Sequence, residues 1–239
     1  MVNFSLKSQQ LSRMLETNIT NSTLQFLNKL KNNNNREWFT VHKDEFKAEE
    51  NKVKGFFNHL LEKLNLHDEI EKLKVFRIYR DVRFSKNKTP YKSHFSASFA
   101  RAGKHRRGGY YLQIAPGNSF IATGFWNPEK NDLLRIRKEW EIDTTDLSDI
   151  IDDENFKSIW GELAGDELKT APKGFDKEDP NIKYIRKKQY IFVKKFTDKE
   201  VLSDDFANRV NDSFRAIRPY FDLMSNILTT NLNGESLLD

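Results

Sequence analysis

The segment from Arg77 to Tyr91 sets five cations, Arg77, Arg80, Arg83, Lys86 and Lys88, around a single acid, Asp81. Guanidinium forks and ammonium groups at this density suit a phosphate or a carboxylate, since fixed donors of one sign match an anion's oxygens. From Val75 to Phe84 the residues alternate: Phe76, Ile78, Val82 and Phe84 against Arg77, Tyr79, Asp81 and Arg83. That period of two predicts a strand. Arg80 then falls on the apolar face. A buried charge without a partner is destabilising by several kcal/mol, so Arg80 must meet a carboxylate, a set of carbonyls or an anionic ligand. On the opposite face Asp81 stands between Arg77 and Arg83, and Lys86, Asn87, Lys88 and Tyr91 follow from the adjoining loop. The candidates for ligand binding are therefore Arg77, Arg80, Arg83, Lys86 and Asn87, and those for proton transfer are Asp81, Lys88 and Tyr91. Internal pairing of Arg80 with Asp81, locking a hairpin, accounts for the same residues with no ligand at all.

Charge distribution gives the anion reading its weight. The chain carries a net charge of +5, yet Lys72 to Arg107 holds twelve Lys or Arg and one acid, whereas Glu139 to Glu167 holds eleven acids and Lys157 alone. Such polarity fits an anionic partner at one place better than general stickiness, though two solvated lobes side by side would read the same way. Two further cations extend the candidate binding set. Lys173 lies in a Pro-Lys-Gly turn, and Arg186 opens the basic run before the last strand, where a charged edge against aggregation is the competing explanation. Tyr110, Tyr111 and Trp126 could stack on a planar ligand or simply pack in a core.

The elements that must position these groups change period along the chain. Ser22-Thr-Leu-Gln25 has capping-box form and precedes Leu24, Leu27 and Leu30. Trp38, Phe46, Val53, Phe57, Leu60 and Leu64 recur at helical steps, predicting one long helix or two in series ending near Asn65. Strands are predicted over Val75–Phe84, Tyr91–Arg101, Tyr110–Ala115 and Phe120–Phe125, with a fifth over Gln189–Phe196. Asn127-Pro128 reads as a cap followed by proline at the first helical position. One or two short helices cover Asp143–Trp160, and a stripe from Phe206 to Leu228 forms a last helix bent at Pro219. The fold class is α+β: an antiparallel meander of about five strands packed against N-terminal and C-terminal helices. Residues 22–231 form one domain, 1–21 a flexible N-terminus and 232–239 a tail.

Composition removes several function classes. The chain of 239 residues has no cysteine, which excludes disulfides and thiolate chemistry and points to a reducing, cytoplasmic setting. No apolar run approaches the roughly 20 residues of a bilayer span, so no membrane partner is expected. The five histidines lack metal-ligand spacing, and there is no P-loop, no Gly-x-Gly-x-x-Gly and no Gly-x-Ser-x-Gly. Neither a metal nor a cofactor is expected. Apolar residues make up only 37%, but 19 Phe, 7 Tyr and 4 Trp supply a core, each buried Phe contributing about 1.5–3 kcal/mol.

The run Arg77-Ile-Tyr-Arg80-Asp81-Val-Arg83-Phe84-Ser-Lys-Asn87-Lys88-Thr-Pro90-Tyr91 resembles the signature of an uncharacterised bacterial and fungal family, domain of unknown function 2461. That signature reads Arg, two residues, Arg-Asp, one residue, Arg-Phe, two residues, Asp or Asn, Lys, two residues, Tyr, and every fixed place is filled. Asn34 to Phe39, Gly109 to Leu112 and Ala171 to Phe175 are also similar to the family, so the likeness spans roughly Leu24 to Phe221. Two places depart from it: Ala122-Thr123-Gly124-Phe125 where the family is richer in glycine, and Asp179-Pro180 where it has His-Pro. The resemblance implies a full-length α+β domain and no established activity. Three functions are weighed in order: a pocket for a small phosphate- or carboxylate-bearing ligand, with or without turnover; a non-catalytic module for an acidic protein surface; and nucleic-acid binding, for which no recognised motif is present. The sequence is silent on oligomeric state.

Overall fold

A computed structural model describes residues 18–238. Most of the flexible N-terminus expected over 1–21 lies outside the described residues. Helix α1, Asn21–Asn32, buries Leu24, Phe26, Leu27 and Leu30 on one face. The capping box expected from Ser22 does not form. Thr20, extended at φ −107° and ψ 160°, marks the start instead, and the Thr23 hydroxyl is drawn away to Glu49 at 2.7 Å. Asn35 caps α2, Arg36–Val41, by accepting from the Trp38 N–H. His42 breaks the run before α3, Lys43–Leu64, because its ring stacks on Trp38 at 3.9 Å and its Nδ1 bonds the Trp38 carbonyl.

Five strands follow the order β1-β2-β3-β4-β5, every pair antiparallel. They are β1 Ile70–Val75, β2 Phe95–Arg101, β3 Gly109–Ile114, β4 Ser119–Phe125 and β5 Tyr190–Phe196. The meander is as expected, but its first hairpin is not. Pairing with β2 belongs to Ile70–Val75, and the last ladder bond is Phe76 N–H to Ser96. The strand expected over Val75–Phe84 is instead the start of an excursion that leaves the sheet. Its alternation is real over Ile78 to Asp81, with Tyr79 bridging Tyr91. Beyond that the backbone groups are taken by side chains of the loop itself, which leaves no ladder to continue.

The described residues hold ten helices: α4 Lys130–Ile142, α5 Thr145–Ile151, α6 Glu154–Trp160, α7 Ile182–Ile185, α8 Asp198–Val201, α9 Phe206–Ala216 and α10 Arg218–Thr229 follow the three above. Helix α4 starts two residues later than the Asn-Pro cap suggests, with Glu129 as its N-cap. The C-terminal stripe divides at Ile217, and Pro219 takes the first turn of α10, where its missing N–H does no harm. The last residues fold back rather than trailing, Thr230 bridging Ser236.

The helices cover one face of the sheet, and aromatic rings fasten the two layers. Phe99 meets Phe57 edge-on, Tyr110 packs on Phe214 and Phe221 at 4.7 and 5.2 Å, and Phe192 meets Phe156 and Tyr220 at 5.1 Å each. Alternation then fixes what the other face presents. With Phe99, Tyr110, Leu112, Ile121 and Phe192 turned to the helices, Ser98, Ala100, Gly109, Tyr111, Phe120, Ala122 and Ile191 must point the opposite way.

Candidate ligand groove and its cationic edge

The motif residues of the excursion point mostly inward, onto their own loop. The Arg80 guanidinium donates to the Thr89 carbonyl at 3.1 Å, to the Thr89 hydroxyl and to Ser85 Oγ at 3.4 Å. Of the three partners open to Arg80, the chain supplies a carbonyl, supplemented by hydroxyls. Lys88 Nζ donates to the carbonyls of Val82 and Arg83 at 2.9 and 3.3 Å, and Asn87 Oδ1 accepts from the Thr89 N–H and hydroxyl. Asp81 accepts from the Arg83 backbone N–H, Nε and Nη2, the last at 2.6 Å. That pairing holds the exposed Asp81 carboxyl below its usual range. Tyr91 is buried with its ring stacked on Phe39 at 4.0 Å, its backbone is held by the Asn34 amide, and burial pushes its phenol up. Both shifts move away from neutral pH. Lys86 is exposed on the surface of the loop.

Phe84 is the apolar member turned out furthest, 97% exposed. The remaining candidates lie elsewhere. Arg186 pairs with Glu167 at 3.6 Å, beside β5 and so at the opposite edge of the sheet from the loop. Lys173 is exposed in the turn from Pro172 to Phe175 and takes no part in the loop's hydrogen bonds. Among the described residues no group of three or more His, Cys, Asp or Glu could hold a metal ion.

A concave groove of about 560 Å³ occupies the sheet face away from the helices. Its floor is made of small residues, Ser98 and Ala100 of β2, Gly109 of β3, and Ala122 and Gly124 of β4. Phe76, Tyr111 and Phe120 stand at one end, Trp126 and Ile191 at the other. Gly124 is obligatory here: at φ +112° a Cβ would lie 2.2 Å from the Tyr190 carbonyl oxygen. Trp126, 64% exposed, also borders a second, polar cavity of about 250 Å³ lined by Arg107, Asn127, Glu129 and Asp132. Arg107 and Asp132 form an ion pair within it.

Cations stand along the β1 edge of the groove. Lys72 pairs with Ala100 and Lys74 with Ser98 across the ladder, so both side chains share the open face with those floor residues. The ammonium groups of Lys74 and Lys92 sit 5.2 and 5.4 Å from the centroid of the Phe76 ring. Burial lowers the Lys92 pKa, and repulsion from Arg77 and Lys74 adds to the effect, so the three cations share one field. Nearby acids are engaged elsewhere, Asp81 with Arg83 and Glu69 with Arg106. Among the described residues, Lys72, Lys74, Arg77 and Lys92 have no carboxylate within ion-pair distance.

The family model described as a conserved hypothetical protein, DUF2461, matches residues 22–223. The chain belongs to this family. No curated protein and no solved structure matches it. Of the residues in the family-like signature run, Arg77 alone lies in the cationic cluster at the groove, while Arg80, Asn87 and Lys88 brace the loop.

Of the residues lining the groove, sequence reasoning singled out only Tyr110, Tyr111 and Trp126, and it missed the rest for an identifiable reason. The floor is alanine, serine and glycine, residue types with no chemistry of their own, and Lys72 and Lys74 lie on a strand too charged to be recognised as one. It also singled out Arg80, which is half-buried on its carbonyl partner, and passed over a more deeply buried arginine. The side chain of Arg101 is 1% exposed and donates to Asp68 Oδ2 at 2.7 Å and to the Arg107 carbonyl. The Tyr110 hydroxyl donates to the same carboxylate at 2.6 Å, and Arg218 lies 3.3 Å from its other oxygen. Arg101 alternates with Phe95, Ala97 and Phe99, so the pattern that put Arg80 on an apolar face also held the correct answer one strand later.

Proposed function

We propose that the protein binds a small molecule with a flat or apolar body and a phosphate or carboxylate head. The body occupies the groove on the open sheet face, and the head meets Lys72, Lys74, Arg77 and Lys92. One observation carries this reading: Lys74 and Lys92 lie over Phe76, a wall of an apolar cavity of about 560 Å³, with Lys72 and Arg77 as neighbours and, among the described residues, no carboxylate at ion-pair distance from any of the four. That volume falls within the usual range for ligand sites, roughly 300–1,000 Å³. Half-buried Lys92 is repelled by Arg77 and Lys74, and an anion relieves that repulsion. The loop Arg80–Thr89 then serves as a brace that fixes where Arg77 and Lys92 stand.

A thermal-shift panel of aryl and alkyl carboxylates and phosphates tests the proposal. A bound ligand at a hundredfold excess over its Kd stabilises by about 2.7 kcal/mol, a rise of roughly 5 °C for a chain of this size. The Lys74→Ala/Arg77→Ala double variant is expected to lose most of that rise. Equal shifts in wild type and double variant, or no shift with any anion, would overturn it.

A further inference from the structure

We infer that the ligand is a free nucleotide, its base lying in the slot beside Trp126 and its phosphate at the lysine edge. This identity rests on the groove reading above and narrows it through three features that no plain aryl or alkyl acid would use together. First, the groove floor beneath Trp126 is flat and small, Gly109, Ala122 and Gly124, so a planar ring can lie against the sheet with an indole at its side. Second, Trp126 separates the groove from the polar cavity, and both share Gly108. At φ +85° a Cβ on Gly108 would lie 2.7 Å from the buried Phe221 ring, so core packing keeps this shared residue a glycine and no side chain stands between the two hollows.

Third, the polar cavity holds both kinds of hydrogen-bonding group. Glu129 accepts and Asn127 does both, while Arg107 and Asp132, paired through Nη2 and Oδ2, keep Nη1 and Oδ1 for a ligand. A nucleobase carries exocyclic amines, ring nitrogens and carbonyls along one edge, and needs this mixture. A hydrocarbon needs none of it. From β1 to β4 the groove crosses three strand spacings, about 14 Å, the span of a base, a sugar and a phosphate in sequence. The rim at the β1 end is cationic, the cavity at the far end is mixed, and the middle is apolar. That order matches phosphate, base edge and base plane. Two adjoining hollows of about 560 and 250 Å³ hold one nucleotide and little more, so a mononucleotide fits them better than a strand.

Titration of the whole chain with AMP, GMP, CMP and UMP, followed by tryptophan fluorescence and calorimetry, tests the identity. Ribose 5-phosphate, 2-naphthyl phosphate, dodecyl phosphate and an oligonucleotide length series serve as the comparison set. At least one mononucleotide is expected to quench fluorescence and to bind about tenfold or more tightly than ribose 5-phosphate. Trp126→Ala is expected to lose that advantage, and because Trp126 is largely exposed, its melting midpoint should stay near wild type. Lys74→Ala should weaken the nucleotide and leave the matching nucleoside unchanged. Naphthyl or dodecyl phosphate binding as well as every nucleotide would overturn the nucleotide identity and leave the groove reading intact. Affinity that climbs with each added nucleotide of the oligomer series would replace the free nucleotide by a single strand. Silence across the whole panel would sink both readings together.

Discussion

At the scale of single residues, the most demanding environment belongs to Asp68. Burial alone would raise its carboxyl, but the Tyr110 hydroxyl and the Arg101 charge outweigh burial and hold it below its ordinary value. Its contribution to stability is therefore complete above the unfolded value and is lost as pH falls through the lower folded one. Removing Arg101 leaves this carboxylate short of its closest cation. Arg101→Met should destabilise by about 3–5 kcal/mol, read from urea unfolding at pH 7. His94 predicts a different window. Burial, with Lys92 adding repulsion, pushes its imidazole down to about 4. Between pH 6.5 and 4 the unfolded chain takes up a proton that the folded chain refuses, so stability drops as pH is lowered across that interval. His94→Asn should flatten that part of a plot of urea midpoint against pH; an unchanged slope would remove His94 as its cause.

At the scale of elements, the loop between β1 and β2 turns charged side chains into structural donors. Arg80 and Lys88 do for its carbonyls what a neighbouring strand would otherwise do. Lys88→Ala should therefore loosen the loop without unfolding the sheet. Amide exchange over residues 80–89 is expected to accelerate, while β2 and β3 keep wild-type protection. Phe84 supplies the internal contrast, because it touches nothing that the loop needs. Phe84→Ser should leave stability within about 0.5 kcal/mol of wild type, and a larger loss would mean that Phe84 packs against the fold.

At the scale of the molecule, the layers divide the work. Helices and large aromatic rings fill one side of the sheet, and small residues leave a hollow on the other. Ala100 faces Gly109 across the β2–β3 ladder, so a bulky side chain there has room to lie in the hollow. Ala100→Trp should abolish the ligand-induced thermal shift while the unliganded melting point moves by only a few degrees. Retained binding in that variant would place the ligand elsewhere.

Sequence alone determined the α+β class, the meander, the C-terminal helical stripe and the membership implied by the Arg77–Tyr91 run, because periodicity and turn chemistry are local properties. It also located the excess of positive charge, of which Arg77, Lys72, Lys74 and Lys92 remain at the groove. What it could not supply was direction. Whether an arginine's fork ends on its own loop, as Arg80's does, or stays unpaired beside a cavity, as Arg77's does, depends on where the backbone turns after Phe76. A hollow floored by alanine and glycine has no signal along the chain, since it exists only when three strands lie side by side. The tertiary structure decided both, because pairing and concavity are relations between segments far apart in sequence.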